Sequence, residues 1–396
     1  MKKIIAVLLV VCLLFVAGCT KKTSSADSAK STSANMTKKP SDAAVSATAL
    51  QQRRTVALKA LSDVMLNNAE FVDSTSGQKL FLKDLNGGIT GMSDKTDIYK
   101  PTNFAVVDLD GDGIPEVVVE VHSSPESDDG REVLHYQADG TVEGVYFGIR
   151  AMSSVAKNGL FSASGGAADN YVEKIRFIGD TYDVSDQIYS ATGLGSSISS
   201  YVYDVPVSQD TCYTQMGNAT VDEVTWYIYS EALISKWVTN RPASADPKPV
   251  LLNTALVARQ DYLDGLSALA KRNPDLPSND PKYLGPTNAQ VLSYYQDWDK
   301  ELNKIYSLLE NRLPTNQMNA LRADERQWMS IRDKDGAQAY QGWISGGSDV
   351  ADATLQKNQA LGDVTKNRTF YLIDLYFGDT SQPSTTSIIQ KYGLKK

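Results

Sequence analysis

The spacing of apolar residues changes along the chain. Between residues 51 and 69 apolar side chains recur every three or four positions, which predicts an amphipathic helix. Farther on they alternate with polar residues in five short segments, which predicts β-strands at 104–107, 116–121, 132–136, 141–147 and 171–177. From Leu251 the helical spacing returns. The sequence therefore predicts an α+β fold, with a β-rich middle domain followed by an all-α helical bundle.

Turn and capping residues refine these elements. Asp139-Gly140 lies between two predicted strands and predicts a hairpin, because such a turn needs residues that tolerate positive φ. Two segments have the composition of a capping box, which begins a helix: Thr220–Glu223 and Thr287–Gln290. The first predicts a helix through Trp237. The second predicts a helix that ends before Pro314.

The helical region is expected to contain four helices. The first follows Leu251 and ends at Asn273-Pro274, and the second starts at Thr287. The third starts near Asn316, and a long last helix follows Gly346-Gly347.

Composition divides the chain into segments. Pro242 to Pro249 is rich in proline and polar residues and predicts a linker, and the Ser/Thr/Lys-rich stretch after Cys19 has too few apolar residues to fold. The predicted organisation is a signal peptide at 1–18, a disordered tether at 19–50, an acidic α+β domain at 51–241, a linker at 242–250, a helical domain at 251–378 and a tail at 379–396.

Negative charge is concentrated in the middle of the chain. Residues 55–250 contain 13 Lys and Arg against 28 Asp and Glu, a net charge of −15, whereas residues 251–396 contain 17 of each. Such a surface disfavours nucleic acid and favours cations or basic partners. The two histidines of the chain argue against a histidine-rich zinc site and leave little room for a Ser-His-Asp triad.

The first nineteen residues are typical of an export signal. Lys2 and Lys3 precede an apolar run of about a dozen residues, too short to span a bilayer. The run ends in Ala17-Gly18-Cys19, which resembles the lipobox of bacterial lipoproteins. The resemblance implies that Cys19 is acylated and becomes the mature N-terminus, so that lipid anchors an extracytoplasmic protein to the membrane. An ordinary secretory signal with an incidental cysteine is the alternative.

One acidic loop carries the clearest chemical motif. Asp108, Asp110, Asp112 and Glu116 occupy positions 1, 3, 5 and 9 of a loop in which Ile114 offers its backbone carbonyl at position 7. Oxygen ligands at this spacing predict one structural Ca²⁺. A strand follows instead of a helix, so the loop resembles the strand–loop–strand calcium sites of integrin-type repeats. An acidic turn without metal and a phosphatase loop of the haloacid-dehalogenase type remain alternatives.

The C-terminal third resembles a known family. Its Leu302-Asn303-x-x-Tyr306 segment, its Gln327-Trp328-x-x-x-Arg332-Asp333 segment and the pair Thr365 and Arg368 are similar to the lysozyme-inhibitor LprI-type domain of bacterial lipoproteins. The resemblance covers roughly residues 285–376. It implies a helical domain and binding to lysozyme, a basic protein.

Two roles are open for the residues that carry this resemblance. Trp328 can pack between helices while Arg332, Asp333 and Arg368 form paired charges, because buried charges need partners. Alternatively, Trp328, Arg332 and Asp333 contact a partner protein.

The sequence accordingly predicts a surface-anchored lipoprotein that acts as a non-catalytic binding or structural module. Inhibition of lysozyme or of a related envelope glycan hydrolase is one function that such a module could have. An envelope-acting hydrolase with paired carboxylates and a solute-capture lipoprotein are the alternatives.

Overall fold

The computed structural model describes residues 42–90, 98–124, 127–192, 198–203, 205–242, 245, 254–272 and 287–377. The signal peptide, Cys19, most of the tether, most of the linker and the tail lie outside these residues. The first described element is helix α1 (Asp42–Met65), which includes most of the helix predicted from residue 51. Among the described helices, none combines the length and the apolar character that crossing a bilayer requires.

The first of two β-sheets has seven strands. In spatial order they are β13, β3, β4, β5, β6, β1 and β2, and every neighbouring pair is antiparallel except β1 with β6. Their bounds are β1 (Phe71–Asp73), β2 (Lys79–Leu80), β3 (Lys100–Val107), β4 (Glu116–His122), β5 (Gly130–Tyr136), β6 (Val142–Gly148) and β13 (Tyr227–Ile228). The hairpin predicted at Asp139-Gly140 joins β5 to β6, with Gly140 at φ +93°.

The second sheet is fully antiparallel and has six strands. Its order is β12, β11, β10, β9, β8 and β7, with β7 (Ser154–Val155), β8 (Leu160–Ser164), β9 (Asn170–Ile178), β10 (Thr181–Thr192), β11 (Ile198–Val202) and β12 (Val205–Pro206). Val133 and Val145 of the first sheet share a buried cluster with Ile175 and Phe177 of the second. The two sheets therefore pack against each other through apolar side chains, as the alternating pattern requires.

Short helices cover the sheets, and one of them corrects a prediction. Between β2 and β3 lie a 3₁₀ turn (Leu82–Asp84) and α2 (Gly87–Thr90); α3 (Gln209–Ala219) and α4 (Glu231–Ile234) follow later, α4 continuing into a π-helical turn (Ser235–Thr239). The prediction that Thr220–Glu223 begins a helix is wrong. Thr220 is the C-terminal cap of α3. Val224 then enters the core between the sheets, and Tyr227 pairs with Phe104 in the first sheet.

The C-terminal region is helical, as predicted. It contains α5 (Thr254–Asp264), α6 (Ser267–Ala270), α7 (Asn288–Arg312), α8 (Thr315–Ser345) and α9 (Val350–Phe377). Thr287 and Gln290 form the expected capping box at the start of α7. The helix expected up to Asn273 is instead split, because the Leu266 N–H donates to the Leu263 carbonyl in a tight turn between α5 and α6.

Helix α9 packs between its two long neighbours. The Trp298 ring of α7 meets the Phe370 ring of α9 edge to face, with 5.3 Å between ring centroids. On the other side, Arg368 of α9 forms ion pairs with Asp324 and Glu325 of α8. Apolar and charged contacts thus fix α9 from both sides.

Charged contacts also join the helices to the second sheet. Asp374 of α9 pairs with Arg176 of β9 at 3.2 Å, and Lys366 of α9 pairs with Asp183 of β10 at 2.6 Å. Gln260 of α5 donates to the Phe177 carbonyl at 2.9 Å. The β-rich and helical regions contact each other in one compact unit, and the domain boundaries remain predictions.

Candidate functional site

The acidic loop connects strands β3 and β4 of the first sheet. It begins at Asp108, directly after β3, and ends at Glu116, the first residue of β4. The strand that was predicted after the loop is present. Gly113 has a φ of +87°, a conformation that a residue with a side chain rarely adopts, and this glycine lets the chain turn back sharply.

The aspartates of the loop accept hydrogen bonds from its own backbone. Asp108 accepts from the N–H groups of Gly111 at 2.7 Å and Gly113 at 3.0 Å. Asp110 accepts from the Asp112 N–H at 3.0 Å, and Asp112 accepts from the Ile114 N–H at 2.6 Å. These bonds turn the carboxylates toward the inside of the loop.

Three carboxylates come close enough to share a cation. One oxygen from each of Asp108, Asp110 and Glu116 lies within 4.8 Å of the other two. The second oxygen of Asp110, Oδ2, is buried and has no hydrogen bond of normal geometry. Buried carboxylate oxygens normally have a partner, and a bound cation would supply one for Asp110 Oδ2. The three carboxylates therefore fit a hard cation such as Ca²⁺, which prefers oxygen ligands.

The other two predicted ligands are placed differently. The Asp112 carboxylate is not in the 4.8 Å group, although it is buried in the same loop. The Ile114 side chain packs against Leu50 and Ala57 of α1, so this helix lies next to the loop.

The loop concentrates negative charge in a buried place. Burial and the adjacent Asp110 carboxylate raise the pKa of Asp108 to about 7. Burial, followed by repulsion from neighbouring loop carboxylates, raises the pKa values of Asp112 and Glu116 well above their usual range. A bound divalent cation would reverse these shifts, because it becomes the largest charge in the site.

Two contacts of the loop, with His135 and with Arg259, carry no signal in the sequence. His135 Nδ1 lies 3.0 Å from Glu116 Oε1, and burial lowers the pKa of His135 to about 3, so the imidazole is neutral. The His135 ring stacks on Phe177 of the second sheet at 3.7 Å. Arg259 of α5 donates from both terminal nitrogens to the Asp110 carbonyl at 3.4 Å. The loop therefore lies where both sheets and α5 meet.

In the helical region, Trp328 is part of the core. It is 4% exposed, and two guanidinium groups lie over its indole ring, those of Arg332 at 5.3 Å and Arg368 at 5.8 Å from the ring centroid. Because Arg368 pairs with α8 carboxylates, this stack belongs to the contact between α8 and α9. Trp328 thus packs within the helical core, and contact of these residues with a partner stays a prediction.

Arg332 and Asp333 lie nearer the surface. Arg332 pairs with Asp333 at 2.8 Å and reaches Asp299 of α7 at 3.8 Å, while its guanidinium lies over the Tyr295 ring. The Asp333 side chain is 65% exposed and that of Asp299 is 41% exposed. Of the three residues predicted to contact a partner, Asp333 is the one that is open to solvent.

Comparison with known proteins gives one family match, within the helical region. Residues 283–372 match the family model described as Lysozyme inhibitor LprI. The match spans α7, α8 and most of α9 and confirms the LprI-type domain predicted from the sequence. Neither the curated proteins nor the solved structures that were searched gave a match.

Proposed function

We propose that this protein is a membrane-anchored, extracytoplasmic lipoprotein that binds a protein partner through its LprI-type region and catalyses no reaction. The family match carries this proposal, because the family is described by inhibition of lysozyme. The proposed partner is lysozyme or a related glycan-cleaving enzyme of the cell envelope.

The helical surface offers a specific place for such a partner. Asp299 and Asp333 present carboxylates on α7 and α8 at either side of Arg332. Exposed carboxylates complement the basic surface of an enzyme such as lysozyme. Since the neighbouring Trp328 and Arg368 are fixed in the core, the contact surface is preorganised.

The proposed anchor is lipid on Cys19. Two or three acyl chains suffice for stable attachment, because each buried CH₂ contributes about 0.8 kcal/mol. Cys19→Ala should therefore release the protein from the membrane or stop its processing, which fractionation of cells after labelling with a radioactive fatty acid will show. Retention of the variant in the membrane at mature size contradicts the anchor.

The acidic loop is proposed to bind one Ca²⁺ through Asp108, Asp110 and Glu116, with Asp112 and the Ile114 carbonyl as further ligands. The proposed role is structural, because Asp110, Asp112 and Glu116 are buried and the Asp110 carbonyl accepts from Arg259 of α5. By neutralising the loop, the ion would stabilise the folded protein.

The partner proposal is tested by enzyme inhibition. The mature chain is added to lysozyme at low salt, and hydrolysis of a cell-wall suspension is followed. Inhibition that saturates with protein supports the proposal. Full activity at a large excess of the protein removes lysozyme as the target, and the same assay with other envelope glycan hydrolases then decides between a different enzyme and no enzyme.

A further inference from the structure

Glu132, on β5, is buried in an unusual state. Its side chain has no exposed surface, and neither carboxylate oxygen has a hydrogen-bond partner. A buried carboxylate costs several kcal/mol unless it is paired, protonated or bound to a metal. Since Glu132 has no hydrogen bond, its charge must be neutralised by a proton or by a bound cation.

A second carboxylate lies on the same face of the sheet. In the register of the strands, Asp73 of β1 and Leu134 of β5 are both paired with Gly144 of β6. Paired residues, and residues two positions apart, point to the same face. Asp73 and Glu132 therefore flank Gly144 from the two strands on either side of it.

The space between them depends on this glycine. A Cβ at Gly144 would lie 2.2 Å from Glu132 Oε1 and 2.3 Å from the Phe71 ring, so any other residue would displace the carboxylate. Asp73 is 1% exposed, and its Oδ2 accepts from the Ser76 N–H and hydroxyl at 2.7 and 2.6 Å. Its Oδ1 is buried without a partner.

No hydrogen bond or ion pair among the described residues offsets the charge of Glu132. Burial and then the Asp73 carboxylate raise the pKa of Glu132 well above its usual range. Arg131, the nearest arginine in sequence, points to the opposite face and pairs with Glu120. Three buried oxygen atoms without partners remain, two from Glu132 and one from Asp73.

We propose that Asp73 and Glu132 bind a hard divalent cation, Ca²⁺ or Mg²⁺, at a site separate from the acidic loop. Two carboxylates neutralise one divalent ion, and a donor set made only of oxygen atoms selects this class of metal. The site links the short strand β1, which lies next to the edge strand β2, to β5 in the middle of the sheet. A shared proton is the competing way to neutralise the pair.

The test measures bound cation in the mature chain and in single variants. Equilibrium dialysis against Ca²⁺ or Mg²⁺, followed by elemental analysis, should give two ions per wild-type chain. Glu132→Gln should lose one ion, Asp110→Asn should lose the ion of the loop, and Glu143→Gln is the matched control. Glu143 is a buried glutamate of the neighbouring strand that bonds Gln137, and its variant should keep both ions.

The outcomes separate the two sites. If Glu132→Gln and Asp73→Asn keep as much cation as the wild type and are at least as stable, a proton neutralises the pair and the proposal is wrong. If the loop binds no ion, and the one ion that the chain binds is lost in Glu132→Gln, the proposed site stands without the loop. Should the variants not fold, crystals of the wild type soaked in Mn²⁺ decide. An anomalous peak between Asp73 and Glu132 supports the site, and its absence rejects it.

Discussion

Arg259 and Asp374 form a fully buried ion pair that joins α5 to α9. Arg259 Nε lies 2.8 Å from Asp374 Oδ1, and each side chain is 1% exposed. Burial opposes ionisation of Asp374, but Arg259 and Arg176 outweigh it and lower the pKa of this carboxyl. Since Arg259 also donates to the Asp110 carbonyl, one side chain connects the acidic loop with the end of α9.

Breaking this pair should strongly destabilise the protein. Arg259→Met leaves Asp374 buried with Arg176 still paired to it, and loss of one member of a buried pair costs about 3–5 kcal/mol. Urea unfolding measures the change. Lys271→Met is the control, since Lys271 pairs with Asp180 at the surface and exposed pairs contribute about 0–1 kcal/mol. Equal losses in the two variants would show that the buried pair has no special role.

Calcium should stabilise the protein through the acidic loop. Extracellular modules of this kind bind Ca²⁺ with affinities of about 10⁻⁴–10⁻³ M. At a hundred times the dissociation constant the ion adds about 2.7 kcal/mol, which raises the melting temperature by several degrees. Asp110→Asn should remove the part of this rise that comes from the loop, whereas Asp139→Asn in the β5–β6 turn should retain the whole rise. A melting temperature that chelator leaves unchanged in the wild type argues against the site.

The facing carboxyl groups of Glu173 and Asp186 predict a pH dependence. They lie opposite each other on β9 and β10, and burial and their mutual repulsion raise the pKa of Glu173 to about 8; burial raises that of Asp186 to about 6. The folded state therefore holds protons that the unfolded state releases near pH 4–5. Stability from this pair is present at low pH and is lost as pH rises toward 8.

Glu173→Gln removes most of that loss. Between pH 5 and 8 its unfolding free energy should fall less than that of the wild type, as urea titrations at three pH values will show. Glu223→Gln, at an exposed position, should follow the wild type. If Glu173→Gln also runs parallel to the wild type, the two carboxyl groups are not coupled to folding.

Local sequence patterns predicted helices correctly where the apolar residues of the pattern also pack into the core. Thr287 precedes Val291, Tyr294 and Trp298, which are buried in the helical core, and its capping box forms. Thr220 begins a similar pattern, but no helix forms there, because the Val224 side chain packs into the core between the two sheets. Packing outweighed the local preference there.

Long-range pairs could not be predicted from one sequence. Glu116 meets His135 from a neighbouring strand, and Arg259 meets Asp374 across 115 positions. Neither pair has a periodic or compositional signal, because the contacts arise only after the strands and helices are placed. The loop motif, in contrast, is local, and the spacing of its acidic residues alone predicted that Asp108, Asp110 and Glu116 lie close together, whereas Asp112 is outside this group.

The most direct test of the account is binding of lysozyme to the mature chain, measured by titration calorimetry at two salt concentrations. If the LprI-type region carries the contact, Asp333→Lys should weaken binding at least tenfold without changing the melting temperature. Asp139→Lys, an equal charge change on the acidic β-rich region, should leave it within twofold. The salt dependence should be modest, because residues 251–396 carry no net charge. No binding by the wild type, or binding lost through Asp139→Lys and not through Asp333→Lys, would contradict the account.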